Sequence, residues 1–153
     1  MSSSSIREQI VLAAVALLNA SGKPSGLVVD RERTHPSESS QLPAIHVYCE
    51  DEEPSPLKDQ SFRSPIVQHH LVLMCELRAQ ASASVPPDAA IDPLYVWAAQ
   101  QVLQNEEFGG LAMGVTEGPM KWKSREADAI YAAADLRFVV HYRTTRVDPT
   151  SVT

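Results

Sequence analysis

The chain has 153 residues, 44% of them hydrophobic and 21% charged, with a formal net charge of −6 and a pI of about 5.3. This length fits one domain with a real core. The acidic balance argues against nucleic-acid binding by phosphate neutralisation, which needs a basic surface, but it is compatible with DNA that slides past without sticking.

No apolar run is long enough for a membrane-spanning helix, which needs about 18 residues or more. The apolar stretch 10–18 lacks the basic flank of a cleaved signal, because Arg7 is balanced by Glu8. Cys49 and Cys75 fall in expected strands and read as buried thiols. Whether they lie close together stays open.

Taken in chain order, the polar start MSSSS supplies a serine that can cap a helix. Residues 6–20 read as that helix, with Ile6, Ile10, Ala13, Ala14 and Leu17 on one stripe and Val11, Val15 and Leu18 widening it. Gly22 and Pro24 stop it. Residues 26–34 and 42–50 read as strands. In the second, Ile45, Val47 and Cys49 face one way and Ala44, His46 and Tyr48 the other.

Residues 51–65, DEEPSPLKDQSFRSP, combine charge with Pro54, Pro56 and Pro65 and offer only Leu57 and Phe62 as apolar anchors. They are expected to form a long flexible loop that orders against a partner. Residues 66–79 form a strand with Val67, Leu71, Leu73, Cys75 and Leu77 on one face. Val72 and Met74 partly cover the other face, the mark of a central strand.

A second helix begins at Asp88 or at the Asp92-Pro93 pair and ends before Gly109-Gly110. Residues 111–116 and 119–125 read as one strand broken at Gly118-Pro119, or as two short ones. Residues 129–146 close the chain as a long strand. Ala134, Leu136, Phe138, Val140 and Tyr142 make its apolar side, and Asp135, Arg137, Val139, His141 and Arg143 its mostly polar side. The fold class is α+β: a mostly antiparallel sheet of four to five strands and two helices, in the order α-β-β-β-α-β-β. Residues 1–153 form one domain.

Few constellations carry chemistry. His69 and His70 are adjacent on a strand and point to opposite faces, so they cannot share one ion. His46 and His70 could meet only if register allowed, and a third ligand is missing. The run Glu50 to Glu53 is contiguous, whereas metal sites set carboxylates on separate rigid elements. It reads as solvated loop or protein contact. Lys121, Lys123 and Arg125 around Trp122 are too few for nucleic-acid readout. No Walker loop, GxGxxG, HExxH or GxSxG is present, so neither enzyme activity nor a cofactor is expected.

The ordered set of features resembles the tail terminator (minor tail protein U-like) family of long-tailed bacteriophages and prophages. Its parts are the helix IREQIVLAAVALLN, the strand LPAIHVYCEDEE running into a variable loop, and the strand HHLVLMCELRAQ. There follow DAAIDPLYVWAAQQVL, a Gly-Gly stop, a Trp-bearing strand and the ending LRFVVHYRTTRVDP.

The resemblance implies a structural virion protein with no cofactor and no catalysis. It implies a hexameric ring on the finished tail tube that stops tube growth and offers a joining surface to head–tail connector or neck proteins. Genomic DNA would pass through the ring without sequence readout. The location implied is the neck-proximal end of the tail, after assembly in the host cytoplasm, with no membrane partner.

Under that reading the candidate subunit or tube contacts are Asp51, Glu52, Glu53, Lys58 and Arg63 in the loop. Asp135, Arg137, His141 and Arg143 on the last strand join them. Two other readings fit: another neck or tail-completion protein, and a small ligand- or metal-binding module.

Overall fold

The structure, a computed structural model, describes residues 4–31, 42–56, 65–123 and 131–153. Helix α1 spans Ile6–Leu18, and the Ser5 hydroxyl accepts the N–H of Glu8 at 3.2 Å, so the serine cap is present. The Pro149 carbonyl takes the Ile6 N–H at 2.8 Å and ties the C-terminal tail to the start of the helix. Strand β1 is Val28–Asp30, β2 is Ala44–Pro56 and β3 is Ile66–Gln80. Helix α2 is Pro87–Gln104; β4 (Gly114–Glu117), β5 (Lys121–Trp122) and β6 (Tyr131–Thr145) complete the chain.

The strands make one six-stranded sheet in the order β1-β2-β3-β6-β4, with β5 also pairing β6. Among the described pairings only β1–β2 is parallel. The expected α-β-β-β-α-β-β order is consistent with the structure, with the broken fourth strand present as two short strands, which brings the sheet to six strands instead of the expected four to five. β3 and β6 are central, each flanked on both sides.

Both helices pack on one face of the sheet. Ile10, Ala14 and Leu18 of α1 and Ile91, Leu94, Ala98 and Val102 of α2 meet Ile45, Val47, Leu71, Leu73, Leu77, Leu136, Phe138 and Val140 in one core. Phe138 is fully buried there, so truncation to alanine would cost about 3–5 kcal/mol. The Trp97 indole N–H donates to the Leu18 carbonyl at 2.9 Å, satisfying a terminal acceptor of α1 from α2.

Three expectations are revised or narrowed. First, residues 51–56 are not loop but the second half of β2, paired with β3 from Asp51↔Val72 to Pro56↔Val67. The charges are tolerated because this half is an edge strand. The prolines fit because they take the positions that do not bond to β3. The rest of the expected loop, residues 57–64, lies outside the described residues.

Second, of the two expected starts of α2 the earlier holds to within a residue: the helix begins at Pro87, with Pro86 as its cap residue, and runs through Pro93, which gives up the bond to the Ala89 carbonyl. Third, β1 is three residues long; the end of its expected span, residues 32–34, lies outside the described residues.

Candidate assembly surface

The second face of the sheet has no described helix over it, and the polar side chains of β6 lie there. Cross-strand partners share a face, so register places side chains in rows. Asp30, His46, Glu76, Asp135 and Lys121 form one row across β1, β2, β3, β6 and β5. Glu53, His70 and His141 form a second, nearer the other end. His46 and His70 are therefore separated along the sheet, which rules out the meeting that register might have allowed. Among the described residues no three His, Cys, Asp or Glu side chains are placed to hold a metal ion.

The first row opposes two carboxylates, Glu76 and Asp135, both buried. Like charges in direct opposition are unfavourable, so each needs a cation. The Arg78 Nε donates to Glu76 at 2.9 Å, and the Lys123 ammonium lies 3.0 Å from Asp135 Oδ2. The hydrogen bond to Asp135 holds the Lys123 ammonium above its ordinary pKa. Asp135 Oδ1 is buried and has no hydrogen-bond partner among the described residues. Burial, and then the negative charge of Glu76 and Asp135, raises the Tyr48 phenol.

Further along, the Arg137 guanidinium reaches over β3 and grips Glu50 with two bonds, of 2.7 and 3.0 Å. That contact depresses the Glu50 carboxyl below its ordinary pKa. His70 and His141 meet edge to face at 4.8 Å; burial lowers the His141 pKa, and the neighbouring His70 adds to it. Arg143, last in the series, has a buried Nε without a partner among the described residues.

Among the expected contact residues, then, Asp135, Arg137, His141 and Arg143 do share one face. Asp135 and Arg137 are already engaged within the chain. Asp51 and Glu53 are exposed on the free half of β2. Lys58 and Arg63 lie outside the described residues.

Glu52 sits elsewhere. Register slips between Cys49 and Asp51, a β-bulge that leaves Glu50 without a paired residue and reverses which side chains face the helices. Glu52 thus points to the helix side. There it accepts the Tyr142 hydroxyl and pairs with Arg7 of α1 at 3.0 Å. His69 stacks on the Tyr142 ring at 4.5 Å and bonds Thr144 Oγ1 through Nε2 at 2.9 Å. Burial lowers the His69 pKa and raises the Tyr142 phenol.

Sequence reasoning missed Glu50 as the partner of Arg137 and Lys123 as the partner of Asp135. Both depend on register, and the single signal that could have pointed to them is opposite charge.

The cysteines are free. Cys75 stands opposite Val47, and Cys49 stands opposite Leu73. They are neighbours on one face, and burial pushes the Cys75 thiol up to about 12 and raises Cys49 as well. Both therefore rest as thiols, not as thiolate nucleophiles.

No family model matches the chain, and no curated protein matches it. Among the solved structures that match is a chain described as "Virion of native gene transfer agent (GTA) particle". It is 11% identical over 92% of each chain, with a TM-score of 0.48.

Proposed function

We propose that the chain is a structural protein of a phage-like virion and, within that class, a tail terminator. It would assemble as a closed ring of copies, expected to be hexameric, cap the tail tube, stop its growth, and present its far side to the head–neck proteins. DNA would pass through the hole.

The observation that carries this reading is the two-sided sheet. One face is filled by α1 and α2, while the face bearing Asp135, Arg137, His141 and Arg143 has no described helix over it and carries both signs of charge. Asp135 is buried, so the half-buried members of this layer, Arg137, His141 and Arg143, are the ones suited to contact between subunits, where complementarity fixes partner and register. The net charge of −6 suits a channel that must not hold a polyanion. The ordered sequence features that resemble terminators span nearly the whole chain, and the element order agrees with them.

The test is the mass of purified protein, alone and after mixing with tail tubes. The account expects either a ring in solution or a monomer that becomes a ring on the tube end. A stable dimer that never binds tubes would sink it. Binding elsewhere in the neck would favour the tail-completion alternative.

A further inference from the structure

The free half of β2 has an unusual edge. β1 covers β2 only at Ala44, Ile45 and His46. Beyond the bulge, β2 pairs β3 on one side, and no described strand lies on the other. In an antiparallel strand, alternate residues send both N–H and C=O outward. Pro54 and Pro56 have no N–H, so their positions, and Glu52 with the same parity, are the outward ones.

The Glu52 N–H is in turn held by the Asp51 carboxylate at 2.8 Å. Three successive outward positions thus offer carbonyl oxygens and no free donor. An added strand cannot form a ladder here, because half of its bonds need donors from this edge. What the edge can accept is a partner that brings its own N–H groups. The exposed carboxylates of Asp51 and Glu53 favour a cationic one.

Such a partner exists on the opposite edge of the same sheet. Among the described strands β5 pairs only β6; it carries Lys121 and Trp122, and Lys123, already bonded to Asp135, follows it, all three exposed. Trp122 keeps 38% of its surface exposed; paired with Ala134, it lies on the helix side of the sheet, whereas Lys121, paired with Asp135, lies on the polar side. Lys121 has no ion pair with any described residue.

We propose that the 52–56 edge of one copy docks the Lys121–Trp122–Lys123 edge of a second copy, through side-chain donors onto carbonyls and carboxylates. Because the two edges differ, the contact is head-to-tail and can repeat around a ring instead of stopping at a dimer. The assignment rests on the ring reading above and names the two surfaces that would make it.

A charge swap tests it. Glu53→Lys and Lys121→Glu are made singly and together, with thermal unfolding as a check that each variant folds; both sites are exposed. Each single variant should weaken self-association, alone or on tubes, by about tenfold or more through like-charge contact, and the double variant should recover it. Singles that assemble like the wild type would overturn this pairing while leaving the ring reading intact. Wild-type protein that forms no multimer under any condition would overturn both.

Discussion

Arg137 on β6 holds Glu50 on β2 although β3 runs between them, with both guanidinium bonds at 3.0 Å or less. The bulge makes this possible by leaving Glu50 without a paired residue on the face that Arg137 occupies. Because the pair is partly solvated, Arg137→Ala is expected to cost only about 1 kcal/mol or less. The folded pKa of Glu50 lies below its ordinary value of 4.5, so its contribution is present above that pH and is lost as pH falls through the folded value. Urea unfolding from pH 6 to pH 3 should show an acid-dependent loss that is smaller in Arg137→Ala.

His69 and His141 give a second pH dependence at higher pH. Burial lowers both below 6.5, so the unfolded chain binds protons first as pH falls. Stability should therefore be full above about pH 6.5 and decline below it. His141→Gln should flatten part of that decline when unfolding midpoints at pH 7.5 and pH 5 are compared. An equal decline in the variant would remove His141 from the explanation.

Tyr142 and Arg7 meet on Glu52, joining β6 and α1 through β2. Tyr142→Phe deletes one donor and leaves the carboxylate its arginine, for a loss of about 1 kcal/mol. Glu52→Ala strips the acceptor from both and should destabilise more. Denaturant midpoints of the two variants check the order.

The donor-free edge makes its own prediction. Replacing Pro54 and Pro56 together by threonine gives the outward side two N–H groups. The edge then becomes open to strand addition, and concentration-dependent aggregation should appear in light scattering. A variant as monodisperse as the wild type would contradict the backbone arrangement described for β2.

Gly118 lies where a side chain would meet β6. A Cβ there would stand 3.0 Å from the Arg137 Cβ and 3.2 Å from its carbonyl oxygen, while the Gly118 N–H already bonds that carbonyl at 2.7 Å. Gly118→Ala should push the β4–β5 link away and destabilise by about 1–3 kcal/mol, visible as a lower Tm.

Much of this fold is legible in the sequence because local pattern and final environment agree. The alternation in β6 marks Ala134 to Tyr142 as core, and the Ser5 cap with the Ile6–Ile10–Ala14 stripe marks α1. DEEPSP reads as loop because proline and charge are loop residues on average. Only the pairing with β3 shows that Pro54 and Pro56 occupy positions where no donor is needed.

The contact face was partly legible. Alternation alone groups Asp135, Arg137, His141 and Arg143. It cannot say that Glu50 and Lys123 already hold two of them, nor that one extra residue turns Glu52 towards the helices. Those facts arise from register and a bulge, which leave no trace in spacing along a single strand.

The central claim, that the chain ends tail growth, is tested most directly by electron microscopy of particles made without it. The gene would be removed from the particle-forming cluster and the tails measured, with the wild-type gene supplied in trans as control. The account predicts headless tubes extended beyond the normal length, with normal joined particles on complementation. Tails of normal length joined to heads in the absence of the protein would contradict it.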